Sequence, residues 1–153
     1  MGTRSRIGVM LNETECMSVY CHWDGYLSYN GRILANCYTD LDTVLQMILL
    51  GDMSSLGTVN GVKHPFSRLD TDMSKEQWDA KYGAMTTYYG RDRGETECVP
   101  KISTSFEQFI EQAENCGAEY VYVFKDGEWF YSHVGGAAQK LSSVNKDLTK
   151  ETV

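Results

Sequence analysis

The stretch YCHWDGYL, Tyr20 to Leu27, places an imidazole, an indole and a carboxylate on consecutive residues ahead of a glycine. His22 there can donate a hydrogen bond or exchange a proton, and Asp24 can orient it or accept from a ligand hydroxyl. Tyr26 follows in the same stretch, and Arg4 and Arg6 stand upstream, two residues apart. Arginine forks match the paired oxygens of a phosphate. A second stretch, YYGRDRGE, sets Arg91 and Arg93 around Asp92, between Gly90 and Gly94. Glycines let backbone N–H groups approach an anion that the two arginines would clamp. The candidate ligand-binding set is therefore Arg4, Arg6, His22, Asp24, Tyr26, Arg91, Asp92 and Arg93. Each stretch also has an ordinary alternative: an Arg4–Asp24 ion pair on a wet strand face, and Arg–Asp pairing inside a charged turn.

Nucleophilic catalysis finds little support. Cys21 adjoins His22, but neighbours in a strand point to opposite faces, so that histidine cannot activate that thiol. No G-x-S-x-G elbow, H-E-x-x-H pair, Walker loop or dinucleotide fingerprint occurs. The cysteines Cys16, Cys21, Cys37, Cys98 and Cys116 are odd in number and form no C-x-x-C, which points to free thiols in a reducing compartment. His22, His64 and His133 are far apart in sequence, and Asp52, Asp70 and Asp72 could hold a metal only if the fold converged them. No metal and no cofactor is expected.

The elements that must position these residues follow from periodicity. RIGVML and CMSVYCHW alternate with apolar residues at odd positions, the mark of half-buried strands. A loop at Glu13-Thr14-Glu15 would place Asn12 opposite Cys16, Gly8 opposite Tyr20, Arg6 opposite His22 and Arg4 opposite Asp24. An imidazole between two arginines has its pKa lowered by like charge. A short helix is predicted from Gly31. A second follows, with Thr39 and Asp42 as its capping box, Leu41, Val44, Leu45 and Ile48 as its buried stripe, and Gly51 as its stop. Residues 52–84 read as an excursion over the surface, with a Ser74–Gln77 cap ahead of Trp78 and Tyr82. MTTYY is a plausible strand. STSFEQFIEQAENCG is the clearest helix, buried through Phe106, Phe109, Ile110 and Ala113 and ended by Gly117. EYVYVFKDGEWFYSHV is a hairpin on Asp126-Gly127, pairing Phe124 with Trp129, Tyr122 with Tyr131 and Tyr120 with His133. Its aromatic face is either core or a stacking platform for bases. Residues 142–153 are polar, a short helix or a frayed end. The order predicts a single α+β domain over 1–153, a mostly antiparallel sheet with helices packed on one face.

The chain of 153 residues can bury its own core. Its net charge of −7 disfavours general nucleic-acid binding, which wants a basic face. No apolar run approaches a membrane span and no signal-peptide pattern opens the sequence, so no membrane partner is expected and a soluble intracellular protein is the default.

Taken together, MGTRSRI, YCHWDGYL, LGDMSSLG, YYGRDRGE and DGEWFYSHVGG resemble a group of uncharacterised small accessory proteins of tailed bacteriophages. The resemblance runs through most of the chain in the same order and is weakest between Val59 and Met85. It implies an accessory protein acting in the host bacterial cytoplasm and supplies no residue roles. Such proteins often antagonise host defences by capturing or degrading a nucleotide signal, or by blocking a host protein. Arginine forks, aromatics and carboxylates without an evident nucleophile favour capture. The expectation is a homo-oligomeric sponge that binds a small nucleotide immune signal without cleaving it. The alternatives are an acidic inhibitor of a host defence protein and a phosphoesterase using His22 as general acid or base.

Overall fold

The computed structural model describes residues 2–135 and 140–151. Strands β1 (Ser5–Met10) and β2 (Cys16–Cys21) are joined by a loop from Leu11 to Glu15. A π-helical turn at Leu27–Gly31 leads into α1 (Arg32–Cys37), followed by α2 (Leu41–Leu49) and β3 (Met53–Ser55). After α3 (Lys75–Tyr82) come β4 (Thr87–Tyr88), α4 (Tyr89–Arg93) and β5 (Lys101–Ser103). The chain continues through α5 (Phe106–Asn115), β6 (Tyr120–Lys125), β7 (Glu128–His133), β8 (Ser142–Ser143) and α6 (Val144–Glu151).

The strands form one sheet in the order β4-β3-β2-β1-β6-β7-β8, with β5 also pairing β2. The fold is α+β as expected, but the sheet is mixed: β1 pairs β6 in parallel and β2 pairs β3 in parallel. The expected mostly antiparallel sheet came from hairpin signals, which are local. The β1–β6 pair joins residues from opposite ends of the chain, and α5 lies on the connection that returns β6 beside β1. Every residue of β1 from Ser5 to Val9 is buried, as a central strand covered on both faces requires.

Helices also cover both faces, not one. Ile7, Val9, Val19 and Cys21 pack with Leu34 of α1, Val44, Met47 and Ile48 of α2 and Val144 and Leu148 of α6. On the reverse face Cys16, Val121 and Val123 pack with Phe109, Ile110 and Ala113 of α5. The 142–153 segment thus contributes an anchored helix over its described part. The β6–β7 register matches the predicted one, with Asp126 and Gly127 at positive φ in the turn. Its aromatic face is core at Tyr122, Phe124 and Trp129, half-buried at Tyr120 and Tyr131 and exposed at His133, and the Trp129 indole N–H donates to the Tyr38 carbonyl at 2.8 Å.

Several local expectations change. Asp40, not Thr39, caps α2 by accepting from the Thr43 N–H, and Leu41 is half exposed. The Ser74–Gln77 capping box of α3 forms, yet α3 buries no residue. The 52–84 segment is not all surface, since Met53, Ser54 and Leu56 are buried at its start. The charged stretch GRDRGE supplies most of α4 instead of a simple turn.

Candidate functional site

The β1–β2 pairing sets what surrounds His22. Met10 faces Cys16 and Arg6 faces Tyr20, so the register is shifted by two residues from the expected one. The loop holds five residues where three were expected, closed by the Leu11 N–H to the Glu15 carbonyl at 2.8 Å. Parity survives this shift, so His22 stays on the face of Tyr20. It lies past the last pair, where its N–H donates to the Met53 carbonyl at 3.1 Å and that of Trp23 donates to the Ser54 carbonyl at 3.0 Å.

Arg6 is consequently not beside His22. It is 2% exposed, donating from Nε to the Ser18 hydroxyl at 2.8 Å and from Nη2 to the Ser18 carbonyl at 3.1 Å. Arg4 remains exposed at the end of β1, with its guanidinium over Gly117. It forms no ion pair with Asp24.

His22 Nδ1 lies 2.6 Å from the Tyr20 hydroxyl. Burial pushes the Tyr20 phenol up to about 12 against the opposing Arg4 charge, so it keeps its proton. Burial, and after it the Arg4 charge, holds His22 below its ordinary value. The expected direction is found, but Arg6 plays no part in it. A neutral ring that accepts at Nδ1 carries its proton on Nε2. Nε2 has no hydrogen-bond partner among the described residues, so in the tautomer that accepts from Tyr20 at Nδ1 it is a free donor. The Trp23 indole sits edge-on to the ring at 4.6 Å and 89°.

The following loop is rigidly tied. Asp24 adopts φ +57°, a left-handed conformation that aspartate tolerates better than most residues. Gly25 donates to the Thr3 carbonyl at 2.7 Å, and its own carbonyl accepts from the buried Tyr122 hydroxyl at 2.6 Å. A Cβ at Gly25 would fall 2.8 Å from that of Ser5, so this approach requires glycine. Buried Asn30 donates from its side chain to the Trp23 carbonyl at 3.2 Å. These anchors leave Trp23, Tyr26 and Tyr29 projecting at 43%, 38% and 40% exposure. The Tyr26 hydroxyl lies 3.5 Å from the Asp24 carboxylate, and the Tyr26 and Tyr29 rings are 6.1 Å apart.

The second predicted cluster is organised inward. The Asp92 carboxylate is fully buried and accepts from the His64 N–H at 3.1 Å, the Tyr88 N–H at 2.8 Å and Arg91 Nε at 2.9 Å. Arg91 reaches the Thr86 carbonyl at 2.9 Å and lies over the Tyr88 ring. Arg93 pairs with Glu95 and lies over the rings of Phe66 and Tyr89. Asp92 thus pins the segment around His64 to β4. No hydrogen bond, ion pair or ring contact joins Arg91, Asp92 or Arg93 to His22 among the described residues. A backbone link runs through Met53, whose carbonyl accepts from the His22 N–H and which pairs with Tyr88 just ahead of α4.

Sequence reasoning passed over three contributors. Tyr20 was legible from alternation, because i and i+2 share a strand face. Trp23 stood in the odd-numbered apolar stripe of CMSVYCHW, but β2 ends at Cys21 and the indole is 43% exposed, while Tyr29 in the π-helical turn carried no periodic signal. Asp52 is a fourth residue of this neighbourhood, accepting from the Tyr20 N–H at 2.9 Å while burial raises its carboxyl pKa. It does not converge with Asp70 or Asp72: no group of three ligating side chains forms among the described residues.

In comparisons with known proteins, no family model, no curated protein and no solved structure matches the chain. No helix among the described residues is long and apolar enough to cross a membrane.

Proposed function

We propose that the protein captures a small nucleotide-type ligand at the loop following β2 and holds it intact. The observation that carries this reading is the His22 ring held against the Tyr20 hydroxyl with Trp23 edge-on to it, at the head of a loop that carries Asp24 and the exposed Tyr26 and Tyr29. Nε2–H suits a phosphate oxygen or a base acceptor, and Asp24 suits a ribose hydroxyl or a base amine. The planes of Trp23, Tyr26 and Tyr29 suit a base, whose stacking is worth about 1–3 kcal/mol. Arg4 adds a cation for phosphate.

Capture is favoured over cleavage by the state of the neighbouring nucleophiles. Tyr20 holds its proton, with a pKa of about 12, and its hydroxyl is engaged with His22 Nδ1. Cys21 is buried on the opposite strand face, its thiol also pushed up to about 12 by burial. The setting, a bacteriophage protein sequestering an immune signal in the bacterial cytoplasm, rests on the sequence resemblance. Self-association is part of the same proposal, and Leu41 and Leu49 of α2 and Leu50 just after it are exposed apolar side chains available to it.

The acidic-inhibitor reading draws on one observation, the exposed Glu107, Glu111 and Glu114 of α5, which would face a basic host protein. A thermal-shift panel of cyclic di- and trinucleotides and ADP-ribose derivatives separates the two. Capture predicts a saturable rise in Tm with at least one member. No shift with any member transfers the case to the inhibitor.

A further inference from the structure

At the opposite end of β1 and β2 from His22, a cavity of about 360 Å³ opens between the sheet and the start of α5. Six-residue strands rising roughly 3.4 Å per residue separate the two places by about 17 Å. The volume lies within the range of small-molecule sites, about 300–1,000 Å³. Its floor is apolar: Met10, Cys16 and Val123 from three adjacent strands, with Phe106 and Phe109 of α5 as a wall. The Cys16 thiol, held protonated by burial, adds no charge or nucleophile to this floor.

The mouth is different in kind. Glu13 and Lys125 both line it, and both also line an adjoining, more open hollow of about 610 Å³ that continues to Asn12 and Asp126. Glu13 and Lys125 are exposed, and neither forms an ion pair or a side-chain hydrogen bond among the described residues. Opposite charges that share a mouth without pairing leave one donor group and one acceptor group for a ligand. The first turn of α5, capped by Ser105 accepting from the Gln108 N–H, turns the positive end of its dipole to the same cavity. A simple anion would meet Glu13 and Asp126, and a simple cation would meet Lys125 and the helix start.

We propose that this cavity binds a small zwitterion with an apolar body, of the free apolar α-amino acid class. The side chain lies on Met10, Cys16, Val123 and Phe109, the carboxylate faces Lys125 and the start of α5, and the ammonium faces Glu13. This assignment is independent of the nucleotide reading.

The test titrates L-phenylalanine and L-leucine into the full-length protein, followed by backbone amide NMR shifts. N-acetyl-phenylalanine, without the ammonium, and phenylalanine amide, without the carboxylate, serve as matched probes. Glu13→Gln and Lys125→Met are surface changes that leave the core untouched. Saturable shifts at Met10, Cys16 and Val123 are expected, with each variant and each truncated probe binding about tenfold or more weakly through loss of a charge-assisted hydrogen bond. Absence of saturable shifts with both amino acids overturns the proposal. So does equal affinity across the variants, or a response centred on His22 and Trp23.

Discussion

At His22, the Tyr20 hydroxyl lies 2.6 Å from Nδ1. Donation from that hydroxyl to Nδ1 leaves Nε2–H for recognition. His22→Ala should therefore weaken ligand binding by about 1–3 kcal/mol, the usual cost of an unmet polar partner, as read by calorimetry. Arg4→Gln removes the cation that, after burial, holds the ring below its ordinary value. The His22 pKa should then rise towards that value, which an NMR titration of the ring proton measures directly. An unchanged titration would mean that the Arg4 charge does not reach the ring. The pKa also sets a pH dependence. His22 is depressed in the folded chain, so between its folded value and about 6.5 the unfolded chain binds more protons. The contribution of His22 to stability is thus fully present above that window and is lost as pH falls through the folded pKa. Relative to His22→Gln, the urea midpoint of the wild type should fall as the solution is taken from about pH 7 to about pH 5.

Among the elements, GRDRG contributes through its fold more than through its surface. Asp92→Ala strands the His64 and Tyr88 N–H groups and the Arg91 guanidinium around an emptied buried position. Breaking a buried charged pair in this way costs about 3–5 kcal/mol, and urea denaturation should show it. Ligand affinity of the folded fraction should stay close to wild type. A large affinity loss with unchanged stability would place this segment in the binding site after all. How far an element could be read depended on how local its signal was. Asp126-Gly127 declares its turn within two residues, and the hairpin register followed correctly. The β1–β2 loop lacks such a dipeptide, and a two-residue error in its length moved Arg6 from His22 to Tyr20 without disturbing strand parity. That parity kept His22 on the right face. The loop from Trp23 to Tyr29 has no period, so its anchors at Gly25 and Asn30 could not be inferred.

Over the whole molecule, the central β1–β6 pair is the feature least visible in the sequence, because parallel pairing leaves no local mark and joins distant segments. It also separates two cores, one against α1, α2 and α6 and one against α5. Native-state hydrogen exchange should find the β1 and β6 amides among the slowest, opening only with global unfolding. The amides of α3, which buries no residue, should exchange fastest among the longer helices. Protection of α3 equal to that of β1 would show the 52–84 segment to be part of the cooperative core. Capture without turnover at the His22 loop has a direct readout: the wild type is saturated with the best nucleotide of the panel, the complex is denatured and the released ligand is weighed by mass spectrometry. Intact ligand is expected in stoichiometric yield from the wild type and in reduced yield from His22→Ala. Hydrolysed ligand from the wild type, with intact ligand bound normally by His22→Ala, would make His22 a catalyst and contradict capture without turnover.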